Sequence, residues 1–178
     1  MKRKILLLGL VLTLILTMVM PATALAAKPP APTIATGEIT DITFGDVFPA
    51  GNSGRWIVQE REISGNISGA LNGAFTMTYK ANVVLVTQAG NFHGTFEADN
   101  ITLNVNGKIS PLELVPVEVD PDVFVDLPML SLSGHWNVID GAKGNGNFDA
   151  YLVFIPDAQG HVGTIVASGI VMTGKWQP

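Results

Sequence analysis

From Phe75 to Val86 the chain alternates: Phe75, Met77, Tyr79, Ala81, Val83 and Leu85 share one parity, and Thr76, Thr78, Lys80 and Asn82 share the other. A period of two belongs to a strand with one buried face and one wet face. Only Val84 and Val86 blur the pattern. Similar alternation recurs between Gly-rich breaks, and beyond the first 26 residues no stretch of useful length has helical periodicity. Antiparallel β structure is the expectation.

The chain also carries an internal repeat at an offset of 69. Laying Tyr79–Leu103 on Phe148–Met172 without gaps gives seven identities, among them Ala81/Ala150, Gly94/Gly163 and Ile101/Ile170. The match resumes upstream at Ile63-Ser-Gly65 and Leu132-Ser-Gly134. Duplicated hairpins are predicted over Phe75–Val105 and Phe148–Trp176, turning at Gln88–Asn91 and Asp157–Gly160. Both return strands change phase, at Asp99-Asn100 and at Ser168-Gly169, where one extra residue in a strand reads as a β-bulge. Bent hairpins, together with Gly65, Gly69 and Gly73 four apart, favour strong coiling and closure. The fold expected is all-β: an antiparallel β-barrel or strongly curved sandwich with an internal hairpin duplication.

Between Gly107 and Pro128 the character changes. Pro111, Pro116, Pro121 and Pro128 interrupt short apolar alternations, and Glu113, Glu118, Asp120, Asp122 and Asp126 accumulate. Proline cannot donate to a ladder, so this segment reads as a connection or edge strand whose charge discourages edge-to-edge association. After it, Trp136-Asn-Val-Ile-Asp-Gly-Ala-Lys-Gly-Asn-Gly-Asn-Phe148 enters a Gly-rich turn and leaves through Gly-x-Phe. This unit resembles the strand-turn-strand of small calycin-like barrels of the allene oxide cyclase and dirigent type. It departs from their Gly-Gly-x-Gly-x-Phe pattern. The resemblance implies a barrel shape and carries over no catalytic residue.

The first residues have the three parts of a secretory signal: basic Lys2-Arg3-Lys4, an apolar run from Ile5 to Met20, and the small-residue site Ala24-Leu25-Ala26. The expected organisation is a signal peptide over 1–26, a Pro-rich tether over 27–36 and one β-barrel domain over 37–176, in an exported protein. Cleavage before Ala27 alters the charge balance. Of 10 basic residues against 15 acids, Lys2, Arg3 and Lys4 leave with the signal, taking the net charge from −5 to −8. That balance excludes nucleic acid as a partner, because phosphate binding needs a basic face. With no Cys the fold must rest on packing alone.

Candidate chemistry is sparse. The chain lacks a Cys nucleophile, a Gly-x-Ser-x-Gly elbow and an aspartic-protease triplet. Glu60 and Glu62, two apart, would sit on one face of a strand, a placement paired-carboxylate chemistry could use, though solvated strand carboxylates are the commoner explanation. His93, His135 and His161 have no metal-ligand spacing. Asp120, Asp122 and Asp126 offer three carboxylates for calcium; the competing reading is a solvated acidic turn. The Gly141–Gly146 loop leads into a strand and lacks a phosphate-loop ending, and no cofactor is implied.

A ligand site, if present, is expected in the lumen at Gln59, Arg61 and Tyr79. Ile63, Ile67 and Leu71 set the inward phase, and continuing it backwards puts Arg61, Gln59 and Ile57 inside. The rival reading, which carries more weight, is that a bulge near Gln59 reverses that phase, turning Arg61 to solvent and packing Trp56 and Val58 instead. The favoured reading is a non-catalytic binding, surface or structural module, with a small hydrophobic or acidic ligand as partner and no transmembrane helix after cleavage. The alternatives are a cyclase- or isomerase-type barrel enzyme and an eight-stranded outer-membrane barrel.

Overall fold

The computed structural model describes residues 32–52, 54–98, 100–139 and 143–177. Among them are ten strands and no helix: β1 (Pro32–Ile42), β2 (Asp46–Pro49), β3 (Arg55–Gly69), β4 (Gly73–Val84), β5 (Gly90–Ala98), β6 (Ile101–Ile109), β7 (Glu113–Asp120), β8 (Val123–Val138), β9 (Lys143–Pro156) and β10 (Val162–Gln177). Eight close into an antiparallel barrel in the order β1-β10-β9-β8-β6-β5-β4-β3, with β1 pairing β3 to complete the ring. The remaining two are additions. Strand β2 extends the line of β1 along β3, and β7 pairs only with β8 as the edge strand of a projecting hairpin, as the proline-rich segment suggested.

The alternating pattern puts apolar side chains inside the ring. At the end where β3 turns into β4, Phe75 stacks on Phe96 with centroids 5.0 Å apart, and Leu71, Met77, Leu103 and Trp136 are buried beside them. Trp136 fits because Gly146 and Gly174 face it: a Cβ at either would stand 2.6 or 2.4 Å from the indole ring. Its Nε1 donates to the carbonyls of Asn147 and Thr173 at 3.1 and 3.2 Å, so the one polar atom of the plug is satisfied. Part of the outer wall is polar, although Ile34, Tyr151, Val166 and Val171 of β1, β9 and β10 are exposed. Lys80, His93, Asn106, His135 and Asn147 form one exposed cross-strand row from β4 to β9. An outer-membrane barrel is built the other way round, with an apolar band toward lipid and a polar interior. The row of Lys80, His93, Asn106, His135 and Asn147 runs against that pattern.

Several expectations need correction. The two hairpins do not share a register: Ala81 pairs with Phe92, whereas Ala150 pairs with Ile170. Strand β9 continues through Phe154 to Pro156, while the corresponding residues after Val84 already belong to the turn. The repeat thus describes similar strands and not equivalent hairpins. The phase change near Asp99-Asn100 is a chain reversal, since Ala98 pairs with Ile101 across it and Asn100 has φ 62°. Strand β10 does contain a register shift, but between Ile165 and Ala167; Ser168 and Gly169 pair regularly with Leu152 and Tyr151. Residues 32–36 of the expected tether are barrel wall, because β1 starts at Pro32. The signal peptide, its cleavage site and residues 27–31 lie outside the described residues.

Candidate functional site: the open mouth of the barrel

The opposite end of the lumen is not filled. There β3 begins and β4 ends, and a cavity of about 400 Å3 opens, lined by apolar residues such as Val58, Ala81 and Val83 and by the polar residues Arg61, Tyr79, Gln88 and His161. The local backbone explains how an arginine comes to face a lumen. Strand β3 runs inward at Ile67, Gly65, Ile63 and Arg61, and then the register slips between Arg61 and Val58. Glu60, with φ 54°, is the extra residue. Because two residues oppose one across such a bulge, Arg61 faces Tyr79 and Val58 faces Ala81, all four on the inner side.

The neighbouring strand breaks at the same level. Thr43 ends the ladder of β1 by donating its N–H to the Glu62 carbonyl, and its hydroxyl accepts the Glu62 N–H, at 2.8 and 3.0 Å. Gly45, with φ 60°, then passes so close to the Gln59 carbonyl that a Cβ would lie 2.1 Å from the oxygen, so only glycine fits there. This kink aims the Phe44 carbonyl at Arg61, whose Nε donates to it at 3.1 Å. The guanidinium carbon sits 6.0 Å from the Phe44 ring centroid, and that ring meets His161 at 4.7 Å. His161 is held from the other side by Asp157, whose carboxylate lies 3.4 Å from Nδ1 and accepts the backbone N–H groups of Gln159 and His161. Those N–H bonds come first among the causes that keep the Asp157 carboxyl below its ordinary range.

Two polar groups on this cavity are incompletely matched. Arg61 is half-buried, and no carboxylate among the described residues pairs with it. Tyr79 is 1% exposed, and its hydroxyl has no hydrogen-bond partner among the described residues. Burial raises the phenol above its ordinary value of 10.0, and the Arg61 charge offsets part of that rise. The guanidinium stands close enough to the hydroxyl for both its charge and its N–H groups to hold that rise back.

Of the three residues expected to form the site, the structure brings Arg61 and Tyr79 together and separates Gln59. The bulge turns Gln59 away from the cavity lining, and its backbone pairs with Asp46 of β2. Trp56 and Val58 line the cavity alongside Arg61, so the two phases weighed for this strand hold on opposite sides of Glu60. Glu60 and Glu62 are both exposed, and Glu60 occupies the bulge rather than a common strand face.

The three aspartates do not form a metal cluster, nor does any other group of three His, Cys, Asp or Glu among the described residues. Asp120 and Asp122 sit at the tip of the β7–β8 hairpin, whereas Asp126 pairs with Pro116 further down, roughly 10 Å along the strand from Val123. His161 and Phe44 were not singled out as site residues; only the position of His161 beside a turn pointed toward them. A larger concavity of about 660 Å3 on the outer wall is bounded by exposed Asn106, Lys108, Ser133, His135, Asn147 and Asp149, all solvated members of cross-strand rows. No protein-family model matches the chain, and no curated protein or solved structure matches it.

Proposed function

We propose that the protein is a non-catalytic binding module that takes a small hydrophobic guest into the open mouth of its barrel. The cavity of about 400 Å3 carries this reading, because its volume and mainly apolar lining with few convergent polar groups are those of a ligand pocket. Val47 and Leu85, which line the opening, are themselves exposed and give an apolar entrance. A cyclase or isomerase has less support: His161 is the one imidazole on the cavity, and its ring leans on Phe44 at the rim. The reading includes export, which the leader supports; the intact mass of the exported chain should correspond to Ala27–Pro178.

Binding is tested by titrating the folded chain with a neutral naphthylamine dye whose emission rises in apolar surroundings. Val83→Trp, which places a large ring in the cavity, should abolish the signal while circular dichroism stays unchanged. Undiminished dye binding in that variant would locate the site elsewhere.

A further inference from the structure

Resting on that reading, we infer that the guest is an organic monoanion, a carboxylate on a medium-length hydrophobic chain, with its head group held between the Arg61 guanidinium and the Tyr79 hydroxyl. Both residues line one cavity across a single strand pair, Arg61 opposite Tyr79. One is a half-buried cation without a carboxylate partner, and the other is a buried donor without an acceptor. A carboxylate supplies what both lack: a negative charge for the guanidinium and an acceptor oxygen for Oη. Arg61 is the one permanent cation in the lining, and His161 already faces the Asp157 carboxylate, so a doubly charged phosphate would bring an uncompensated charge out of water.

The register also sets the orientation. Going outward from Arg61 and Tyr79, the pairs are Val58 with Ala81 and then Trp56 with Val83, so the polar pair is the innermost of the three. The head group enters first, and the chain lies back along Ala81 and Val83 toward Leu85. From Tyr79 to Val83 the strand advances roughly 13 Å, room for a medium-length alkyl chain. Phe44 and His161 stand beside the guanidinium where β2 and β10 are not paired, narrowing the wall next to the head group.

The test is calorimetric titration of the folded chain with octanoate, 1-octanol and octyltrimethylammonium. Octanoate should bind about tenfold or more tightly than 1-octanol, and the cation should not bind. Arg61→Met should remove the preference for octanoate while leaving 1-octanol unchanged. Tyr79→Phe should weaken octanoate by about three- to tenfold, with 1-octanol unaffected and thermal stability unchanged or raised. Equal affinity of octanoate and 1-octanol, or octanoate binding unaltered by Arg61→Met, overturns the head-group assignment and leaves the cavity reading standing. Dye binding with no uptake of either octyl ligand does the same, whereas failure of dye, acid and alcohol together removes the binding reading itself. If Arg61→Met does not fold, Tyr79→Phe alone decides, because an unchanged octanoate affinity in that variant rejects the assignment.

Discussion

The two ends of the lumen share their staves and differ in what fills them. At the closed end Phe75, Phe96 and Trp136 interlock over glycines, and the only polar atom among those three side chains, the indole Nε1, has two acceptors. At the open end a cavity remains, beside an arginine without a carboxylate partner among the described residues and a tyrosine hydroxyl without a hydrogen-bond partner there. Stability alone favours the first arrangement, since an unpaired buried polar group costs free energy and an apolar replacement of the same shape does not. A barrel that satisfies its indole and leaves its phenol unmatched has its packed and open ends apart.

That contrast can be broken by substitution. The largest effect is expected at the plug: Trp136→Ala should cost about 3–5 kcal/mol, read as a shift of the urea midpoint, because it empties a site lined by glycines that cannot collapse onto it. Next comes Ser168→Ala. The Ser168 hydroxyl donates to the Ile39 carbonyl and accepts the Ile39 N–H, at 2.7 and 2.9 Å, just past Gly37, the last residue of β1 paired with β10. Its loss should cost about 1–3 kcal/mol and raise amide exchange at Ile39. Tyr79→Phe should act with the opposite sign and stabilise the chain by about 1 kcal/mol, since it deletes a buried hydroxyl without a partner. A plug-like cost at Tyr79 would erase the distinction between the two ends.

Proton linkage provides the finer tests. The folded value of Tyr79 is raised, so above 10.0 the unfolded chain releases a proton that the folded chain keeps. Stability should therefore fall as the pH climbs past that value, and Tyr79→Phe should flatten the fall in alkaline denaturation curves. For Asp157 the folded value is lowered; its contribution is present above the ordinary 3.8 and is lost as the pH falls through the folded value. The expected result is lower protection of the Gln159 and His161 amides, relative to their intrinsic exchange rates, in acid, with the plug unaffected.

Period-two alternation was enough to read the all-β class, the long strand β4 and the edge character of β7, because each rests on local side-chain parity. Arg61 was placed by counting back from Ile63, a step that holds only as far as the bulge. Gln59 was misplaced because an extra residue in a strand leaves no mark on composition: Glu60 resembles any exposed glutamate, and its positive φ depends on the kink at Gly45 across the ladder. The hairpin registers were misread for a related reason. Side-chain similarity identifies a strand, whereas the turn decides what the strand faces, and β9 turns later than β4. Phe44 and His161 meet across non-adjacent segments, so no local pattern could join them.

Strand β1 is the stave that completes the ring, and its partners lie far along the chain: Pro32 pairs with Lys175, and Ala35 pairs with both Met172 and Gly69. Among the described strands, the first to be synthesised must therefore wait for the last. Until β10 is available, β9 and β1 each present an open ladder edge, the kind of surface that recruits other chains. Contacts between such distant parts also make folding slow. Loss of the final sixteen-residue strand would expose both edges at once, so a C-terminal nonsense mutation should be seen first as aggregation and only then as loss of binding.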